Sequence, residues 1–104
     1  MTAVLVITNL PDRESAMELA ENLIGARAAA CVNVLAPCQS IYHWQGKTES
    51  TEETPVLIKT TEESYAEVER IICELHPYEL PEIICVPISD GLQEYLQWID
   101  NETT

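Results

Sequence analysis

Two side chains with an affinity for soft metal ions lie far apart in this sequence and could meet only through the fold. Cys31 lies in an apolar segment, and His76 lies where a helical pattern ends. A thiolate and an imidazole together suit copper or zinc. The sequence contains no Cys-x-x-Cys, no His-x-x-x-His and no loop of alternating carboxylates, so it indicates neither a structural zinc site nor an EF-hand. A metal site at Cys31 and His76 and ordinary burial of the cysteine stay open as alternatives.

Side chains suited to catalysis are sparse. The only histidines are His43 and His76, no serine has the setting of a nucleophile elbow, and no base adjoins Cys31 in the sequence. Glu79 and Glu82 are the closest pair of loop carboxylates with an acid/base role to consider, and a solvated pair is the simpler interpretation. The sequence therefore predicts a protein that is not an enzyme.

Every aromatic ring in the sequence carries a polar atom, since the chain has two Trp, four Tyr and no Phe. Such rings favour interfaces and half-hydrated pockets. They are concentrated at Tyr42 and Trp44, in the stretch His76–Glu82, and at Tyr95 and Trp98. Two prolines stiffen the stretch His76–Glu82, which makes this loop a candidate binding site. Tyr95 and Trp98 also fit the ordinary packing of an amphipathic helix.

The elements that must position these side chains follow from the pattern of apolar residues. Ala3–Ile7 is a short apolar run rich in β-branched residues, which is typical of a strand buried on both faces. Pro11 and Asp12 open an amphipathic helix, for which Gly25 is a plausible C-cap.

A long hairpin is predicted next. Its arms are Ala29–Trp44 and Thr48–Thr60, and Gln45-Gly46-Lys47 forms the turn. Pro37 and Pro55 predict a kink, a bulge or an edge in each arm.

A helix, a strand and a further helix are predicted after the hairpin. The spacing of Thr60 and Glu63 predicts a capping box at the start of a helix that ends at His76-Pro77. Ile83–Ile88 reads as an apolar strand, and an apolar stripe over 92–99 predicts a third helix. The order β-α-β-β-α-β plus a terminal helix indicates an α+β, ferredoxin-like split-βαβ fold with an antiparallel sheet, in a single domain over residues 1–104.

One face of this sheet needs a cover that the two crossover helices do not provide. The strands Ala3–Ile7, Val56–Ile58 and Ile83–Ile88 are apolar on both faces, yet both helices pack on the same side. Either the third helix or a partner subunit covers the other side. We expect an oligomer, because one short helix shields little of a sheet face.

Composition narrows the choice of partners and compartment. The chain of 104 residues has a formal net charge of −13 and only five basic residues, which are scattered. Such a chain is a poor partner for nucleic acid or an anionic membrane surface. No apolar run approaches the length of a membrane span, and no positively charged residue precedes the run Ala3–Ile7 as in a signal peptide. We therefore expect a soluble cytoplasmic protein with reduced cysteines.

Five collinear segments carry more specific motifs over almost the whole chain. They are Ala30-Cys31-Val32-Asn33-Val34, Ser40-Ile41-Tyr42-His43-Trp44-Gln45-Gly46-Lys47, Leu57-Ile58-Lys59-Thr60-Thr61, His76-Pro77-Tyr78-Glu79-Leu80-Pro81-Glu82-Ile83, and Tyr95-Leu96-x-Trp98-Ile99. Together they resemble the CutA family of divalent-cation tolerance proteins. The resemblance implies a ferredoxin-like subunit in a compact homotrimer whose long hairpins extend neighbouring sheets, and a role in tolerance of copper and other divalent cations.

The resemblance also implies functional residues. Cys31 and His76 match positions proposed as copper ligands in some family members, but Thr8 stands where a third ligand would be cysteine. A hydroxyl is a poor copper ligand, so we expect only weak binding of copper or another divalent cation, with no cofactor required for folding. The implied ligand pocket, which the trimer would assemble near subunit interfaces, consists of Tyr42, Trp44, Lys59, Tyr78, Glu82, Tyr95 and Trp98.

Lys59 has two interpretations in this setting: it either pairs with Glu82 or receives an anionic ligand. Three functions follow for the chain as a whole. The first is a trimeric binding or regulatory protein for divalent-cation tolerance. The second is a sensor trimer that resembles the nitrogen-regulatory PII proteins and binds an organic or anionic ligand between subunits. The third is a structural scaffold whose partners carry the function.

Overall fold

The computed structural model describes residues 2–104 of the protein. These residues form a β-α-β-β-β-α-β-α chain with one short 3₁₀ helix. The elements are β1 (Ala3–Leu10), α1 (Arg13–Gly25), β2 (Cys31–Val34), β3 (Cys38–Trp44), β4 (Lys47–Thr61), the 3₁₀ helix (Glu62–Ser64), α2 (Tyr65–Leu75), β5 (Ile84–Pro87) and α3 (Gln93–Asn101). None of these helices is long and apolar enough to cross a membrane.

The strands form one antiparallel sheet in the order β2-β4-β1-β5, with β3 paired to the far half of β4. When β2 and β3 are counted as one interrupted strand, this is the strand order of the ferredoxin-like fold. The predicted α+β fold is therefore confirmed, with an antiparallel sheet and a C-terminal helix.

The long strand β4 carries the predicted hairpin. Its first half pairs with β3 from Trp44↔Lys47 to Cys38↔Glu53, and its second half pairs with both β2 and β1. The two-residue turn consists of Gln45 and Gly46, which both have positive φ, as a tight hairpin turn of the mirror-image type requires.

The two prolines of the hairpin lie at the same level. Pro37 lies in the gap between β2 and β3, so the predicted interruption of that arm is confirmed. Pro55 lies inside the unbroken strand β4, opposite Asn9 of β1, and on its other side the pairing of β4 with β2 and β3 is interrupted, so Pro55 lies at a local edge. The gap between β2 and β3 lies beside Pro55, and there Leu35 donates its N–H to the Pro55 carbonyl. Proline has no N–H to donate, and no strand residue in this gap needs one from Pro55.

The core lies between the sheet and the two crossover helices α1 and α2. Alternate residues of β1 and β4 point into it, so that Val4, Val6, Val56 and Ile58 are buried. They pack against apolar residues of α1 and α2, among them Leu19, Leu23, Val68 and Ile72.

The opposite face of the sheet, which we call the open face, is only partly covered. It carries Leu5, Ile7, Leu57, Ile84 and Val86, which lie side by side in the strand register. The helix α3 contributes the buried Ile99, yet 48% of Ile84 and 41% of Val86 remain exposed. The third helix alone thus does not cover this face, and the oligomer stays a prediction.

Two predicted helix ends differ from the structure. The helix α1 includes Gly25 and is capped by Ala26, and the residue with positive φ is Arg27. Arg27 closes a Schellman motif, in which its N–H donates to the Ile24 carbonyl and the Ala28 N–H donates to the Leu23 carbonyl. The predicted capping box is also wrong: Thr60 lies in β4, and its hydroxyl donates to the Ala28 carbonyl.

Candidate functional site

A cavity of about 770 Å³ lies between the hairpin and the loop that joins α2 to β5. This volume is in the usual range for a small-molecule site. The lining residues come from the end of β1, the two hairpin strands and the loop: Asn9, Tyr42, Trp44, Thr51, Glu53, Pro77, Tyr78, Glu79, Leu80, Pro81 and Glu82. We call this space the hairpin cavity.

The hairpin supplies one wall through the alternation of its side chains. Tyr42 and Trp44 of β3 and Thr51 and Glu53 of β4 all point to the same side, because residues two apart in a strand share a face and paired residues lie opposite one another. The Tyr42 hydroxyl lies 3.0 Å from the Thr51 hydroxyl. This hydrogen bond joins the Tyr42 side chain to β4.

The loop between α2 and β5 forms the other wall. Asn9, near the end of β1, forms hydrogen bonds with both ends of this loop. Its carbonyl oxygen lies 2.6 Å from Nε2 of His76, and its side-chain Nδ2 donates to Oε1 of Glu82 at 2.8 Å. Pro77 and Pro81 restrict the backbone between these anchors. The loop is therefore held against the sheet at its first and last residues.

The hydrogen bonds of His76 determine its tautomer. Its Nδ1 accepts the backbone N–H of Tyr78 at 3.2 Å, so the ring proton lies on Nε2 and is donated to the Asn9 carbonyl. The ring is buried, and it contacts the Tyr78 ring at a centroid distance of 4.7 Å. Both ring nitrogens are thus engaged within the chain, and His76 positions Tyr78.

Tyr78 lies across the cavity from the hairpin. Burial, together with the nearby Glu53 carboxylate, raises the pKa of Tyr78 to about 12. Burial disfavours the phenolate, and a nearby carboxylate does so as well. The tyrosine therefore stays neutral at physiological pH.

The charges at the hairpin cavity are of one sign. Its walls carry the carboxylates of Glu53, Glu79 and Glu82, and no Lys or Arg of residues 2–104 lines it. The nearest basic residue along the hairpin is Lys47, which pairs with Trp44 beside the turn. The cavity thus combines aromatic rings with carboxylates and has no cation of its own.

The remaining predicted pocket residues lie in a separate cluster on the open face. Lys59 Nζ lies 5.7 Å from the centroid of the Tyr95 ring, which stacks on Trp98 at 5.5 Å. Within residues 2–104 Lys59 has no ion pair, and Glu82 binds Asn9 instead. The structure thus brings Tyr42, Trp44, Tyr78 and Glu82 together, and Lys59, Tyr95 and Trp98 into a second group.

The residues considered as metal ligands do not meet within one chain. Cys31 lies opposite Lys59, whereas His76 is bound at Asn9, which lies opposite Pro55; four residues of β4 span about 13 Å. Thr8 points to the helices, on the other side of the sheet from Cys31. Among residues 2–104 no group of three or more His, Cys, Asp or Glu side chains has the geometry of a metal site.

Sequence reasoning missed three lining residues, namely Asn9, Thr51 and Glu53. Asn9 follows the apolar run Ala3–Ile7 and belongs to no motif, and Thr51 and Glu53 lie in the hairpin arm Thr48–Thr60. The one available signal is the period of two in that arm, which places Thr51 and Glu53 on one face. Which face meets the loop depends on the register of β3 and β4.

Comparison with known proteins adds a family to this geometry. Residues 4–102 match the family model of the CutA1 divalent ion tolerance protein. A relative from Thermus thermophilus, called a divalent-cation tolerance protein CutA, is 40% identical over 103 residues, which is 99% of each chain.

Solved structures agree with this match. The crystal structure of CutA from Xylella fastidiosa has a TM-score of 0.95 and 43% identity and covers 98% of each chain. A structure from Archaeoglobus fulgidus, described as a periplasmic divalent cation tolerance protein CutA, has a TM-score of 0.93 and 36% identity, and covers 96% of this chain and 97% of its own.

Proposed function

Since the chain belongs to the CutA1 family of divalent ion tolerance proteins, we propose that it acts in divalent-cation tolerance as a cytoplasmic homotrimer that is not an enzyme and binds metal ions weakly. The family match supports the role in divalent-cation tolerance, and the observation that supports the homotrimer is the open face of the sheet. Its apolar side chains, with Ile84 48% and Val86 41% exposed, lie beside a hairpin of seven residue pairs that projects from the sheet. Exposed apolar surface of this kind is typical of an interface.

Metal binding in this proposal depends on assembly. Cys31 and His76 lie too far apart in one chain to share an ion, so a shared site would combine residues of different copies. His76 would also have to give up the N–H of Tyr78 to bind through Nδ1. Both features, together with the hydroxyl of Thr8 in place of a thiol, favour weak binding of copper or another divalent cation.

Calorimetric titration tests this function. Reduced, metal-free protein is titrated with Cu(I), Cu(II) and Zn(II), and the same titrations are made on Cys31→Ser, His76→Ala and the control Cys73→Ser, which replaces an exposed cysteine on α2. We expect binding that Cys31→Ser weakens and Cys73→Ser leaves unchanged. Binding that is insensitive to Cys31 would contradict the metal role.

A second function is favoured by the hairpin cavity, namely binding of a small molecule by a sensor trimer. A cavity of about 770 Å³ with aromatic walls is larger than any bound metal ion needs. Mass spectrometry of the native protein would detect a molecule that copurifies with it, and Trp44→Leu should release that molecule. Protein that carries no molecule and binds none from a metabolite library would contradict the sensor role.

A further inference from the structure

The hairpin cavity has the chemistry of a site for an organic ammonium ion, and we propose that its ligand is an aliphatic amine whose charged nitrogen binds Glu53. This inference rests on the second function above, ligand binding in the cavity, and it names the class of ligand. It uses neither Cys31 nor a metal ion.

Glu53 is the innermost charge of the cavity. Only 8% of this residue is exposed, yet none of the ion pairs within residues 2–104 includes it. A buried carboxylate is costly unless a cation or several hydrogen bonds compensate its charge. A ligand ammonium group at Glu53 would supply the missing positive charge.

The rings around Glu53 fit the same ligand. Tyr42 and Trp44 stand on the face of the hairpin that bears Glu53, and Tyr78 lies across the cavity. The faces of Trp and Tyr attract ammonium and alkylammonium groups through cation–π interactions. Trp44 is 38% exposed, so its ring is accessible to a ligand that enters from solvent.

The rim of the cavity suits the body of such a ligand. Leu80, Pro77 and Pro81 offer apolar surface for a methylene chain, and Leu80 is 70% exposed. Glu79 and Glu82 place two further carboxylates on the loop. A diamine could therefore bind Glu53 with one nitrogen and the loop carboxylates with the other.

Two other classes of ligand fit less well. A small metal ion requires several ligands at one point, and the carboxylates of the cavity form no such group. An anion would meet a wall with three carboxylates and no basic residue, in a chain whose formal net charge is −13. The overall charge also raises the local concentration of cations.

The test is calorimetric titration of the full-length protein with hexamethylenediamine, and in parallel with hexanediol and adipate, which have the same chain length but no positive charge. We expect saturable binding of the diamine alone. Glu53→Gln, which keeps the shape of the side chain, should weaken binding about tenfold or more. The control Glu52→Gln removes the same charge from the neighbouring residue, which points to the other side of β4, and should leave binding within about twofold.

A second pair of variants keeps the test decisive if Glu53→Gln does not fold. Trp44→Leu should weaken diamine binding, whereas Trp98→Leu, which removes a similarly exposed ring from the other cluster, should not. Three results would each overturn the proposal. The first is that hexanediol or adipate binds as well as the diamine, and the second is that Glu53→Gln and Trp44→Leu leave the affinity for the diamine unchanged. The third is a crystal structure in which a basic side chain of a neighbouring copy contacts Glu53. If a neutral or anionic molecule copurifies in the cavity, the sensor function stands and the ammonium class fails.

Discussion

Nε2 of His76 lies 2.6 Å from the carbonyl oxygen of Asn9, although 67 residues separate the two in the chain. With Nδ1 bound to the Tyr78 N–H, this contact makes His76 a structural link between β1 and the loop. The side chain that first suggested metal binding thus has a second role, which is to orient a tyrosine at the hairpin cavity.

The link at His76 should contribute measurably to stability. We expect His76→Phe to lower the free energy of unfolding by about 2–3 kcal/mol, because the Asn9 carbonyl and the Tyr78 N–H both lose a partner. Denaturant titration measures this change. The control is His43→Phe, which alters the only other histidine, an exposed residue near the hairpin turn. Equal stability of the two variants would contradict the structural role.

The open face should control assembly. Light scattering of the wild-type protein should give the mass of three chains, and Ile84→Asp should give a smaller mass, because a buried carboxylate opposes the interface. Ile24→Asp is the matched control, since Ile24 on α1 is 43% exposed and Ile84 is 48% exposed. A wild-type monomer at micromolar concentration, or a trimer that Ile84→Asp leaves intact, would count against this interface.

Replacement of two glycines by alanine should change the free energy of unfolding in opposite directions. Gly46 has a φ of +79° in the hairpin turn, so Gly46→Ala should lower the free energy of unfolding by about 1 kcal/mol. Gly25 is helical, and a Cβ there meets no atom within 4 Å. Gly25→Ala should raise the free energy of unfolding by about 0.4–1 kcal/mol, because it restricts the unfolded chain. The two midpoints of thermal unfolding should therefore move in opposite directions from the wild type.

The N-terminus of α1 should lose stability in acid. The backbone N–H of Ser15 donates to Oδ1 of Asp12 at 2.8 Å, and this bond, helped by the nearby Ser15 side chain, holds the pKa of Asp12 below its ordinary value. A lowered pKa in the folded state means that Asp12 stabilises the protein above its unfolded pKa, and that this contribution is lost as pH falls through the folded pKa. Asp12→Asn keeps the cap without the charge, so its midpoint of unfolding should fall less than that of the wild type between about pH 6 and about pH 2. An equal fall would contradict this role of Asp12.

The sequence predicts the order of the elements well, because apolar periodicity depends on near neighbours. The strands around Val4, Val56 and Ile84 and the helix ending at His76 all lie where their patterns indicate. Ends that depend on distant contacts are missed. The capping box expected at Thr60 does not form, because β4 continues to Thr61 along β1 and the Thr60 hydroxyl donates to the Ala28 carbonyl, 32 positions away.

The candidate site was predicted only in part for the same reason. Tyr42, Trp44, Tyr78 and Glu82 were recognised from their motifs, and the structure places them in one cavity. Neither Glu53 nor Asn9 has neighbours in the sequence that indicate a binding role. Glu53 lies in a strand rich in Glu and Thr, and Asn9 follows an apolar run. Their roles depend on the register of β4 and on the path of the loop, which involve contacts across most of the chain.

The two anchors at Asn9 also predict an order of folding events. They join residues 67 and 73 positions apart, so the loop gains both bonds only after β1 has paired with its neighbours and the entropy of closing most of the chain has been lost. The hairpin, whose contacts are local, can form much earlier. We therefore expect one wall of the cavity to form before the other, and because Leu10, next to Asn9, belongs to the core, β1 cannot fray at these anchors without disturbing the core.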